Sequence, residues 1–268
     1  NAKSKGLALA FLNCSKTLGC IIGPLIVSFV VFFFGDLNSM IYQLILIGLI
    51  FTILAVALSF FIKANNFVLN ITENKLLLSQ FLTVSKEIKG ILIISLFFFL
   101  GRFNDGLIVI YLKKTGLPEW FYLSTIAFFN TVMFIASPIL GIIIDKNKVL
   151  LALYITIISL LCFNFVFYFI DIMPLALASI GLGLWGIQRV GAGITFTSLI
   201  FRNISEKFYG TAIGLFSLIS GITNLISSSF CAYFAETSFG YVFLFSGISS
   251  ILCLFISLIF IKKIKWKQ

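Results

Sequence analysis

Long apolar runs set the pattern of this chain. Eight of them occur, over roughly residues 7–34, 41–62, 90–112, 120–144, 149–170, 175–201, 211–235 and 241–261. A helix needs about 20 apolar residues to cross the hydrocarbon core of a bilayer, and each run is long enough. Phe, Ile and Leu dominate, and those residues favour strands in water. In lipid the backbone must satisfy its own hydrogen bonds, which a helix does alone. The alternating ten-residue segments of a membrane barrel are absent. The pattern predicts an all-α membrane protein, a polytopic bundle of eight transmembrane helices.

Composition agrees. Of 268 residues, 60% are hydrophobic and 10% charged, and the mean hydropathy is +1.16. A soluble domain carries about a quarter charged residues, so lipid must be the solvent for much of this chain. The net charge of +10 would suggest nucleic acid in a soluble protein. Here the basic residues fall between the apolar runs. If both termini are cytoplasmic, Lys3, Lys5, Lys63, Lys75, Lys86, Lys89, Lys146, Lys148, Arg202, Lys207, Lys262, Lys263, Lys265 and Lys267 all lie inside. Only Lys113 and Lys114 lie outside, beside Asp36, Glu119, Asp171 and Glu236. The positive-inside rule supports that orientation and an even number of spans. The expected place is a plasma (inner) membrane, crossed several times. Lipid is then the partner, and no nucleic acid is expected.

The one long connection, 63–89, mixes Asn, Lys and Glu with leucines and reads as a cytoplasmic linker with an amphipathic stretch on the membrane surface. It divides the chain into 1–62, 63–89 and 90–268. An echo crosses the divide: Gly6-Leu7-Ala8-Leu9-Ala10 opens the first run and Gly210-Thr211-Ala212-Ile213-Gly214 the seventh, six runs apart, as a parallel six-helix repeat requires.

The chemistry is narrow. There is no histidine, which removes His metal sites, Ser-His-Asp triads and His relays. Cys14, Cys20, Cys162, Cys231 and Cys253 lie inside apolar runs without metal-like spacing and read as small hydrophobes. No cofactor or metal is expected. An intramembrane enzyme would need paired acids or a Ser-Lys pair, and Asp105 is the one acid in mid-span, so no enzymatic activity is expected. The mid-span charges are Lys16, Arg102, Asp105 and Arg189. A charge at mid-helix costs about 2.5–3.5 kcal/mol on insertion scales, so it needs a counter-charge or water. Lys16 either snorkels to the surface or pairs with an acid elsewhere. Arg102 and Asp105, three residues apart, either line a cavity or neutralise each other as a structural pair. Arg189 sits beside Gln188 among Gly181, Gly183, Gly186, Gly191 and Gly193, which suit close helix packing. Ser217, Gly221, Asn224 and Ser228 share a helix face that is either a packing seam or a cavity lining, and Asn130 and Ser137 read similarly.

Four stretches resemble the major facilitator superfamily. Gly19-x-x-x-Gly23-Pro24 is similar to the Gly-Pro motif of that family's fifth helix. Phe98-Phe99-Leu100-Gly101-Arg102-Phe103-Asn104-Asp105-Gly106 is similar to the start of its seventh. Pro138-x-x-Gly141-x-x-x-Asp145-Lys146 is similar to the loop between helices eight and nine, although Asn147-Lys148 follows where the family has glycine and more basic residues. Phe208-Tyr209-Gly210-Thr211-Ala212-Ile213-Gly214 is similar to the opening of helix eleven. The resemblance implies a partial version of the twelve-helix fold: helices five to twelve, the end of the N-terminal half plus the whole C-terminal half. The chain then reads as a fragment or a truncated product.

The implied activity is secondary transport of a small solute by alternating access. The alternative is a truncated, non-transporting membrane protein or interaction subunit. Arg102, Asp105, Arg189, Gln188, Asn130 and Asn224 would line the substrate cavity. Gly141, Asp145, Lys146 and Gly210 would form a gate, with the Asp145 carboxylate at the positive end of the helix starting near Gly210. Gly19, Gly23 and Pro24 would pack helices. Two arginines against one aspartate favour an anionic or zwitterionic solute, and Asp105 is a candidate for proton coupling.

Overall fold

The structure, a computed structural model, describes residues 5–34, 37–60, 84 and 88–261. Nine α-helices lie among them: α1 (Lys5–Phe34), α2 (Leu37–Ser59), α3 (Lys89–Leu100), α4 (Asp105–Lys114), α5 (Glu119–Asp145), α6 (Val149–Tyr168), α7 (Pro174–Asn203), α8 (Tyr209–Thr237) and α9 (Phe239–Ile261). Counted as one unit, α3 and α4 form a span from Lys89 to Lys114, and seven units are then long and apolar enough to cross a membrane. The eighth, α2, runs for 23 residues and carries the apolar stretch Gly48–Leu58. No strand occurs among the described residues. Most of the expected linker lies outside the described residues. Of its described positions, Val84 and Ile88 are buried.

Local signals explain the helix ends. Pro174 occupies the first turn of α7, where its missing N–H costs nothing. Glu119 opens α5 after Pro118, and a carboxylate suits that positive end. Gly116 turns the chain between α4 and α5 with φ 74°, a region that favours glycine. The helices α5, α6 and α7 therefore follow one another through short turns.

Packing follows from residue size. Helix α6 lies against α7 on one side and α9 on another, and α5 lies between α1 and α7. The small residues of α7 permit this closeness. A methyl group on Gly181 would enter the ring of Phe167, and one on Gly191 would collide with the Thr156 side chain. Both contacts bring α7 onto α6. A Cβ on Gly186 would stand 2.6 Å from the Phe129 carbonyl oxygen, which brings α7 onto α5. Aromatic rings fill the interior: Phe103, Phe163, Phe167, Trp185 and Phe243 form one continuous cluster. Elsewhere large apolar side chains face outward, among them Phe165, Leu225, Tyr233 and Phe255. Such a surface requires a lipid bilayer around it.

One expectation changes here. The run over 90–112 is not one helix, because the chain breaks between Leu100 and Asp105. At Gly19 and Gly23 an added Cβ would meet no atom within 4 Å among the described residues. Pro24 lies inside α1. The close glycine contacts among the described helices are those of α7.

Candidate functional site

The break in α3–α4 builds the site. Helix ends leave carbonyls and amides without intrahelical partners, and lipid offers none. Here neighbouring helices supply them. Ser227 Oγ on α8 donates to the Leu100 carbonyl at 2.7 Å, and Ser246 Oγ on α9 donates to the Gly101 carbonyl. Helix α9 can come this close because residue 101 is glycine: a Cβ there would lie 3.1 Å from both Ser246 O and Ser250 Oγ. On the far side of the break, Asn104 caps α4, its Oδ1 accepting from Gly106 N–H at 2.8 Å. Phe103 anchors the connection in the aromatic cluster, 5.2 Å from Trp185 between ring centroids.

This capping places Asp105 at the first position of α4, where the helix dipole favours a negative charge. Its two carboxylate oxygens have different donors. Trp185 Nε1–H donates to Oδ1 at 2.8 Å, and Arg189 Nη1 donates to Oδ2 in an ion pair. Trp185 and Arg189 are four residues apart on one face of α7. The indole is fully buried and fixed by Phe103 and Phe163. The Arg189 and Asp105 side chains are 25% and 27% exposed, so the ion pair opens to one side. The Arg189 guanidinium also lies over the Phe129 ring, 5.3 Å from its centroid.

Arg102 is placed differently from the sequence expectation. An Arg102–Asp105 pair presumed a continuous helix, and the break removes that geometry. Asp105 pairs with Arg189, 84 residues away in sequence. Arg102 forms no ion pair among the described residues, and its buried Nε lacks a hydrogen-bond partner. Its guanidinium stands 5.8 Å from the Phe99 centroid. It lies in the break, three residues before Asp105. The break thus carries one arginine, and the carboxylate that follows it is paired with another.

The remaining cavity candidates separate. Gln188 follows the glycine face of α7 towards α6, seven residues after Gly181 and three before Gly191. It is fully buried, and neither its amide nitrogen nor its oxygen has a partner. Arg189, one position on, faces the ion pair. Asn130 is buried on α5, its Nδ2 donating to Ile126 O at 2.7 Å. Asn224 has a buried Oδ1 without a partner. Ser217 and Gly221 on the same stripe are exposed, and the residues of α8 turned inward are Thr223, Ser227 and Cys231. Sequence reasoning missed Trp185, Ser227 and Ser246. The i−4 spacing of Trp185 from Arg189 was a readable signal, whereas nothing in the sequence links the serines to Leu100 and Gly101.

At the other end of α5 the expected gate residues also find a structure. Gly141 is buried and Lys146 exposed. Asp145 Oδ2 accepts from Leu7 N–H, in the first turn of α1, at 2.9 Å. A carboxylate at a positive helix end was expected, but at Gly210 of α8. Gly210 is exposed, and an added Cβ there would meet nothing within 4 Å. Two further bonds join α1 to α5, Ser137 Oγ to Ala10 O at 3.0 Å and Cys14 Sγ to Phe134 O at 3.5 Å. Arg202 Nη2 donates to the Ile144 carbonyl at 2.8 Å and ties α7 to the same end. Asn147 then adopts φ 61°. Asn147 and Lys148 N–H groups donate to Ile144 and Ile143 carbonyls at 3.0 and 3.1 Å, which is a Schellman cap. Asparagine tolerates that conformation, and so replaces glycine at this turn.

A broken span, an ion pair between helices and a polar clasp at one helix end suit a moving membrane protein but do not name one. The sequence model of the Major Facilitator Superfamily matches residues 1–228. The chain belongs to this superfamily. No curated protein and no solved structure matches it. Membership makes it a membrane transporter of the major facilitator kind, and the matched region holds Arg102, Asp105, Trp185, Arg189 and the Asp145 clasp, while Ser246 lies beyond it.

Proposed function

We propose that this chain moves a small anionic or zwitterionic solute across a plasma (inner) membrane by alternating access, with both termini cytoplasmic. The observation that carries the reading is the Asp105–Arg189 ion pair, held across α4 and α7 at a break in a membrane span, with Arg102 in that break and without an ion-pair partner among the described residues. Charges so placed are costly unless they serve transport or each other, and here one positive charge remains over. Residues 90–268 form the C-terminal half, residues 1–62 end the other half, and 63–89 link them. The Asp145 clasp on the first turn of α1, with Gly141 and Lys146, acts as the gate. It favours the state in which α1 and α5 are joined.

Counterflow in proteoliposomes containing the full-length protein tests this. Labelled small organic anions and zwitterions should exchange, and Arg189→Ala should abolish the exchange. Exchange of such solutes unchanged by Arg189→Ala would refute the site. An uncoupler added to intact cells tests Asp105 as the proton-coupling group: uptake indifferent to it removes that part of the proposal.

A further inference from the structure

The unequal surroundings of the three charged side chains suggest how a solute is received. Asp105 has two donors, Trp185 on Oδ1 and Arg189 on Oδ2. If Arg189 leaves, the carboxylate keeps the indole N–H and the positive end of α4. Arg189 has no such reserve: Asp105 is its one anionic partner among the described residues. Arg102 has a buried Nε with no partner at all. Arg102 lies in the break three residues before Asp105, and Arg189 is paired to that same aspartate, so two like charges stand at one break and an anion received there would relieve both. The ion pair is open on one side, which gives a solute access.

Resting on the anionic reading above, we propose that the solute is an organic monocarboxylate that displaces Asp105 from Arg189 and is clamped between Arg102 and Arg189, while Trp185 retains the displaced aspartate. The charge count supports one negative charge: two arginines and one aspartate leave a single positive charge to neutralise. Guanidinium groups match the planar two-oxygen face of a carboxylate. The rings of Phe99 and Phe129 beside the guanidinium groups suit an apolar body on the solute. Trp185 is then a positioning residue. It acts through Asp105 and does not touch the solute.

Partner exchange has a signature that simple anion binding lacks, because Asp105 competes with the solute for Arg189. The test uses full-length protein in detergent with Trp120→Phe and Trp266→Phe, which leaves Trp185 as the one indole of this chain's three. The probes are benzoate, benzamide, inorganic phosphate and benzyltrimethylammonium. Benzoate should change Trp185 emission on binding, and the other three should not. Asp105→Asn should tighten benzoate about tenfold, since its competitor for Arg189 is lost, whereas Arg102→Gln should weaken it about tenfold or more.

Asp105→Asn binding benzoate no tighter than the parent overturns the exchange, while benzoate binding by the parent leaves the anionic reading standing. If Asp105→Asn does not fold, Arg102→Gln decides: it leaves the Asp105–Arg189 pair intact, and unchanged affinity overturns the clamp. Phosphate binding in preference to benzoate overturns the monocarboxylate assignment. Binding of the ammonium probe alone overturns the anionic reading itself.

Discussion

Replacing Gly186 with alanine should push α5 and α7 apart. The added Cβ would stand 2.6 Å from the Phe129 carbonyl oxygen and 3.0 Å from Val132 Cβ. Ordinary contact begins at 3.4 Å, so the helices must separate by several tenths of an ångström. The nearest atom is backbone inside a helix and cannot rotate away. Overpacking of this kind costs about 1–3 kcal/mol, and a clash with backbone belongs near the top of that range. Alanine also gains about 1 kcal/mol of helix propensity over glycine. Gly183→Ala separates the two terms. It lies on the same helix, gains the same propensity and would meet no atom within 4 Å. The difference between the two variants therefore isolates the clash, at about 2–3 kcal/mol. Thermal unfolding in detergent, followed by the surviving monodisperse fraction, should place Gly183→Ala at or above the parent and Gly186→Ala clearly below it. Gly186→Ala should also weaken solute binding, because Arg189 stacks on Phe129 one turn away. Equal midpoints for the two alanine variants would refute the reasoning.

Ser246→Ala should cost about 1–3 kcal/mol by leaving the Gly101 carbonyl without its donor. Ser250→Ala, whose hydroxyl only returns to its own helix at Ser246 O, should cost less in the same thermal assay. Asn147→Gly should be neutral or slightly stabilising at φ 61°, and Asn147→Val should lower the thermal midpoint, because a β-branched residue resists that conformation. Asp145→Asn keeps an acceptor for Leu7 N–H but removes the charge, a loss of about 0.3–1 kcal/mol at a helix end. Crosslinking between cysteines placed in α1 and α5 should accordingly become less efficient, and unchanged crosslinking would remove Asp145 from the clasp.

The spans were legible because bilayer thickness imposes a length on every apolar run, and the helix bounds agree with that reading to within a few residues. The run at 149–170 became α6, Val149–Tyr168, and that at 175–201 became α7, Pro174–Asn203. The break at Gly101–Asn104 was not legible, since hydropathy is continuous there. What stabilises it, Ser227 and Ser246, lies 127 and 145 residues downstream of the carbonyls they meet. The same limit left the partner of Asp105 open. Sequence spacing offers Arg102 three residues away, whereas the fold brings Arg189 from 84 away. Arg102, Asp105 and Arg189 are nonetheless legible as charges requiring an account, because the cost of charge in lipid depends on the residue and its depth alone. The polar stripe on α8 stayed open between two readings for a related reason: periodicity identifies a face but not the direction it points. Ser217 and Gly221 point outward, and Ser227 points in.

The long separation between Asp105 and Arg189 has a consequence for how the protein is made. Membrane helices enter the bilayer as the ribosome delivers them, and α4 arrives well before α7. At about 5–20 residues per second, Asp105 waits roughly 4–17 s for its arginine. During that interval an unpaired acid and an unpaired arginine flank a gap in the helix, and each carries a penalty of about 2.5–3.5 kcal/mol at full depth. The nascent α3–α4 segment is therefore poorly retained in lipid by itself. Its insertion becomes secure only when α7 brings Trp185 and Arg189, so the ion pair is also an assembly checkpoint.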